Sequence, residues 1–143
     1  IDAIKDANSL LSVIAELKSI GSSTLFSDYV AQDAKNSEVM AYQLNQGGLG
    51  LPEREYYFKD DSATIFIREQ YKKYIAQILG MSGVKEKEAN NAANDILALE
   101  TKLAAASRKI EDLRDPYANY NKMAMVLIFC FKIKFTLNVY FKI

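Results

Sequence analysis

The 143-residue chain contains no histidine. That removes the side chain most suited to acid–base work near neutral pH and the commonest metal-binding imidazole. A serine–histidine triad cannot be assembled. Nor can a zinc hydrolase site in which two imidazoles one helical turn apart hold the ion and an intervening glutamate activates its water. Cysteine is nearly as scarce: Cys130 stands alone, so an intrachain disulfide and a thiolate-rich zinc site are both ruled out. It lies in the apolar run 126–131 and reads as a small buried hydrophobe. A thiol nucleophile would want a histidine base.

Charge of either sign is not in excess. Eighteen basic residues balance eighteen acidic ones, which leaves nothing to neutralise phosphates and argues against a nucleic-acid partner. Zero net charge also removes a safeguard of solubility. The apolar runs are all far shorter than the roughly 20 residues that cross a bilayer, so no transmembrane segment is expected. The start at Ile1-Asp2-Ala3-Ile4 shows no basic end and no cleavage site. It reads as the boundary of a fragment and leaves localisation open. Half the residues are hydrophobic and a quarter are charged, an ordinary globular balance for one domain or part of one.

What is present is mainly helical pattern. Residues 1–20 place Leu10, Leu11, Ile14, Leu17 and Ile20 on one helix face, with Asp6 or Asn8 as the cap and Gly21 as the stop. Residues 24–46 change rhythm. Two bulky, β-prone stretches flank Asp33-Ala34-Lys35-Asn36-Ser37, whose Asp and Asn suit a turn by bonding nearby backbone and tolerating left-handed geometry. The spacing predicts two antiparallel strands.

Residues 46–59 read as a loop, with Tyr56, Tyr57 and Phe58 anchoring it by burial of their rings. Asp60-Asp61-Ser62 then caps a helix to about Leu79. Its apolar stripe is Ile67, Tyr71, Tyr74, Ile75, Ile78 and Leu79, with Arg68, Lys72 and Lys73 on or beside the other face and Gly80 as the stop. A second long helix, 85–107, carries an alanine-rich stripe flanked by Glu100 and Lys102. Alanine favours helix and close approach of a neighbour. The short connection makes these two helices antiparallel neighbours. Arg114-Asp115-Pro116 marks a turn.

No constellation carries chemistry. The glycines at 47, 48 and 50 fit neither a P-loop nor a dinucleotide fingerprint. Asp60-Asp61 and Glu53/Glu55 lack the alternating oxygen ligands of a calcium loop, and read as helix capping and solvation. The aromatic residues have no basic groove beside them and read as core. No spacing singles out a carboxylate pair for hydrolysis. No residue is therefore assigned to a catalytic, cofactor or metal site.

Three separated stretches nevertheless resemble, in order, the neprilysin/endothelin-converting-enzyme family of zinc metallopeptidases. Asp33-Ala34-Lys35-Asn36-Ser37 resembles the family's hairpin turn. Gln46-Gly47-Gly48-Leu49-Gly50-Leu51-Pro52-Glu53-Arg54-Glu55-Tyr56-Tyr57 resembles its Gly-Leu-Gly-Leu-Pro and Tyr-Tyr signature. Leu99-Glu100 with Leu103-Ala104, then Arg114-Asp115-Pro116 and Tyr120-Asn121-Lys122-Met123, resemble the end of the same module. The Gly pair and the lack of disulfide-forming cysteines look more like bacterial members.

The resemblance covers about 1–123 and implies a fold that is mainly α with a β-hairpin. It implies a partial helical cap domain that helps enclose a chamber admitting peptides and excluding folded proteins. In that family the zinc ligands lie far downstream, so zinc and peptide substrates belong to the parent enzyme, and the implied partner is its missing C-terminal catalytic domain. The chain alone is then expected to be inactive. Bacterial relatives imply an exported or cell-envelope location. The alternative is a non-enzymatic helical interaction module with a closed core.

Residues 124–143 depart from the family. They are apolar to Phe131, alternate polar and apolar over 132–139 as in a half-buried strand, and contain no acid. Their Phe, Ile, Lys, Asn and Tyr share AT-rich codons, which suggests out-of-frame or read-through sequence; a divergent strand is the alternative. Either way the stretch is an aggregation hazard.

Overall fold

The structure, a computed structural model, describes residues 4–22 and 24–123. The expectations for 1–3, for Ser23 and for the tail 124–143, Cys130 and the predicted strand included, lie outside the described residues. The chain divides into two compact units. One runs to Gly48 and resumes at Asp115; the other is Leu49–Arg114.

The first unit begins with α1, Ala7–Ser19. Asp6, not Asn8, caps it: its carboxylate accepts from Ser9 N at 2.8 Å while the Asp6 N–H donates to Ser9 Oγ at 2.9 Å. This reciprocal pair closes two otherwise orphaned donors. At the other end Gly21, φ 79°, turns left-handed. Ser22 N–H then reaches Leu17 O at 3.0 Å and Gly21 N–H reaches Lys18 O at 3.0 Å, the double closure that a C-terminal glycine permits.

Strands β1, Phe26–Asp33, and β2, Asn36–Gln46, pair antiparallel around Ala34-Lys35. Asp33 and Asn36 do bond nearby backbone, accepting from Lys35 N at 2.8 Å and Glu38 N at 3.1 Å. The expected left-handed geometry is not used: no described non-glycine residue has positive φ. A register shift at Gln32/Asp33 absorbs the mismatch instead. Alternation along the ladder puts Phe26, Val30, Met40, Tyr42 and Leu44 on one face. Val30 and Met40 are 63% and 60% exposed there. Lys18 ties α1 to the hairpin, pairing with Asp28 and donating to Phe26 O at 3.0 Å.

The second unit is a helical pair. Helix α2 is Ser62–Met81 and α3 is Glu86–Ala106. Joined by four residues and packed along their lengths, they run antiparallel. Asp61 caps α2, accepting from Thr64 N at 2.9 Å and Thr64 Oγ1 at 2.7 Å. The stop is not Gly80, which lies inside the helix, but Gly83 at φ 94°. Val84 N–H closes on Leu79 O at 3.1 Å. A glycine ends a helix only where the left-handed residue falls, and that is two residues past the last helical one.

The core of this unit is small: Leu51, Tyr57 and Ala104 are buried, with Leu49, Tyr56, Tyr71 and Leu97 packed around them. Of the three rings expected to anchor the loop, Tyr57 is buried and Tyr56 partly so, whereas Phe58 stays exposed. Its ring lies 5.4 Å from the Arg54 guanidinium carbon. The loop also contains a short 3-10 turn, Arg54–Tyr57, which periodicity did not show. Of the predicted α2 stripe only Ile75 is buried; Ile67, Tyr74 and Ile78 are open. Arg68 faces inward instead, donating to Tyr56 O at 3.0 Å and Lys59 O at 2.6 Å.

Candidate functional site

The glycine loop and the helical pair meet at one carboxylate. Glu100, half-buried on α3, accepts from the Tyr57 hydroxyl at 2.7 Å and from the Tyr71 hydroxyl at 2.8 Å. The Tyr57 oxygen in turn accepts from Leu51 N–H at 3.0 Å. One acid thus fixes the loop and α2 to α3. Gly50 sits directly over this junction. A Cβ there would overlap the Tyr71 hydroxyl and approach Glu100 Oε1 at 3.2 Å, so the position needs a residue without one. Arg54 completes the fastening by donating to Ser107 O, past the end of α3, at 2.8 Å.

The electrostatics make this a clasp, not a reactive centre. Burial, then the bond to Glu100, pushes both the Tyr57 and the Tyr71 hydroxyls far above the ordinary phenol value. They remain protonated donors and supply no phenolate.

A second node lies in the other unit. Asp33, 4% exposed, receives Lys122 Nζ at 2.6 Å, the Tyr120 hydroxyl at 3.0 Å and Lys35 N–H at 2.8 Å. These charge-assisted bonds, Lys122 foremost, hold its carboxyl at about 2. Lys35 Nζ stacks 4.3 Å from the centre of the Tyr120 ring. Tyr120 and Lys122 thereby pin the chain after the helical pair to the hairpin turn. Near the far end of the hairpin, Asp28 takes both Lys18 and the Tyr42 hydroxyl, which raises that hydroxyl to about 12.

Three of the four acids considered for calcium have structural partners. Asp61 caps α2, Asp60 lies 3.3 Å from Arg68, and Glu55 lies 3.5 Å from Arg54. A groove of about 190 Å³ between α2 and α3 is lined by Glu69, Lys72, Lys73, Asn90, Ala93 and Asn94; Lys72 lies 3.4 Å from Glu69 there. Among the described residues no group of three or more Asp, Glu, Cys or His could hold a metal. No described helix is long and apolar enough to cross a membrane. Sequence reading assigned no site residue. Glu100 and Tyr120-Asn121-Lys122-Met123 stand in the sequence only as motif, without the bonds that explain them; a charged residue flanking an alanine stripe is the available signal for Glu100.

Comparison with known proteins places these motifs. The profile of the N-terminal part of peptidase family M13 matches residues 1–127. Rabbit neprilysin is 34% identical over 122 residues, covering 80% of this chain and 16% of its own length. Human endothelin-converting enzyme 1 is 36% identical over 103 residues, covering 71% and 13%. The Mycobacterium tuberculosis zinc metalloprotease Zmp1 in its open state superposes with a TM-score of 0.83 at 28% identity, over 95% of this chain and 21% of that one. Its inhibitor complex gives 0.76 at 31% identity. The chain therefore spans about a fifth or less of these relatives.

Proposed function

The chain belongs to peptidase family M13, and from that premise we propose that it is a cap segment of a peptide-cleaving zinc metalloendopeptidase. In that role it shapes access of peptides to a catalytic centre held by another part of a longer polypeptide. The zinc site and the peptidase chemistry lie outside this chain. The observation that carries the reading is the pairing of a family match over 1–127 with a sequence devoid of histidine. What these residues do is mechanical. The Glu100 clasp fixes the glycine loop on the helical pair, and the Asp33 node fixes the hairpin turn to the segment that follows the helices.

The test has two parts. The purified chain should not cleave short peptides with added zinc. Residues 1–127 grafted into Zmp1 in place of the matching stretch should retain zinc-dependent cleavage of a short peptide and leave a folded protein intact. Zinc-dependent cleavage by the chain alone, persisting through further purification, would refute the reading. The rival, a self-contained interaction module, predicts a closed core. The 63% exposure of Val30 and 80% exposure of Met81 favour the cap segment. The same reading puts the parent in an exported or envelope compartment, which fractionation of cells would check.

A further inference from the structure

We propose that one flank of the α2/α3 pair is a docking seam for an amphipathic α-helix contributed by another part of the parent polypeptide; this rests on the cap-segment reading above. The two flanks differ sharply. Counting about 100° per residue from Ile75 at the centre of the α3-facing side, Lys72 and Glu69 turn to one flank, and Asn90 and Asn94 of α3 turn to the same one. This is the polar groove already described. Ile67, Tyr74, Ile78 and Met81 turn to the opposite flank, where Leu99 of α3 joins them. Exposures there are 37%, 57%, 45%, 80% and 46% in that order.

The spacing names the occupant. Ile67, Tyr71, Tyr74, Ile78 and Met81 follow one another at intervals of four, three, four and three residues. That is the 3.5-residue period by which one helix offers knobs to another along a shallow crossing; a strand partner would impose no such period on α2. Tyr71, packed against Leu51, Tyr57 and Ala104 and bonded to Glu100, forms the inner margin of the row. Gln70 and Gln77, at its outer edge on α2, carry no charge to desolvate. Among the described elements only α3 and the Arg54–Tyr57 turn pack on α2; they cover Tyr71 and leave Ile67, Tyr74, Ile78 and Met81 open. The solved relative has about four-fifths of its length beyond the matched stretch, enough to supply the missing helix.

Thiol labelling tests it, in a background with Cys130→Ser. Single variants Ile78→Cys and Met81→Cys on the seam, and Gln77→Cys beyond its edge, should all react rapidly in the 143-residue chain. In the Zmp1 graft the two seam thiols should slow at least ten-fold and Gln77→Cys should not. Equal rates at all three positions in the graft would overturn the proposal. So would protection lost on dilution, which would put a second copy there. Peptide cleavage by the graft reports separately on the cap reading: protection without activity refutes that reading alone, activity without protection refutes the seam alone. Should the graft fail to fold, Ile78→Glu/Met81→Glu in the free chain decides. Unchanged helix content and unfolding midpoint are expected of an uncovered seam, and loss of helix would overturn it.

Discussion

The β-hairpin and the helical pair solve the same problem in opposite ways. Each displays apolar residues to solvent, Val30 and Met40 on one, Tyr74 and Met81 on the other. The helical pair has a core of its own, Leu51, Tyr57 and Ala104, with a shared carboxylate above it. The hairpin has its ladder and two ionic tethers, at Asp28 and Asp33. A two-stranded hairpin buries too little to stand on its ladder alone. The difference teaches that the helical unit carries its own core, whereas the hairpin is held by charge at its ends. The variants below should separate the two.

The sharpest break is Glu100→Ala. Two half-buried hydroxyls lose their acceptor at once, and an unsatisfied buried donor costs about 1–3 kcal/mol. We expect a loss of about 3 kcal/mol in urea unfolding followed by helical circular dichroism, with the hairpin ladder unaffected in amide exchange. Glu100→Gln keeps one acceptor and should lose about half as much. Equal loss of hairpin protection would merge the two units into one and end the comparison.

Next in size is Gly50→Ala, expected to cost about 1–2 kcal/mol by overpacking. The added methyl group must displace the Tyr71 hydroxyl from Glu100. In a Tyr71→Phe background the obstruction is gone, so the same substitution should cost less. Additive costs would show that Gly50 is needed for some other reason. Smaller again is Gly83→Ala, about 1 kcal/mol, because an alanine is forced to φ 94° at the end of α2. Gly80→Ala, inside the helix with nothing within 4 Å of its added Cβ, should stabilise by up to about 1 kcal/mol. Opposite signs at two glycines three residues apart, read in the same melt, check the position of the stop.

How much of this was legible follows from how local each signal is. Both long helices and the caps at Asp6 and Asp61 rest on residues within four positions of one another, and the hairpin on two adjacent strands about a short turn, so all could be read along the chain. The choice of Gly83 over Gly80 could not, since both punctuate a helix end and only backbone geometry separates them. The Glu100 clasp joins residues 43 and 29 positions apart, and the Asp33–Tyr120 bond spans 87. No periodicity encodes such pairings; the family motif marked their members without saying why they matter. What covers the α2 stripe was illegible for a related reason. Periodicity reports that Ile67, Tyr74 and Ile78 share a face, and is silent on whether this chain covers it.

The smallest expected effect belongs to the hairpin and is read in pH. Asp33 is held at about 2 against an ordinary 3.8, by Lys122, by the Lys35 amide and by Tyr120. The folded state therefore resists protonation more than the unfolded one. The stability this contributes is fully present above pH 4 and is lost as the pH falls through the folded value, because the unfolded chain takes up its proton first. Between pH 4 and 2 the tether to Tyr120 and Lys122 should weaken. Asp33→Asn should remove that acid response from hairpin amide exchange and leave the helical amides alone. An acid transition that survives Asp33→Asn unchanged would shift the burden to Asp28, whose carboxyl is also lowered, first by its bond to Lys18 and then by Tyr42. Charge would then hold the hairpin at the other end, and the comparison would stand with its two tethers exchanged.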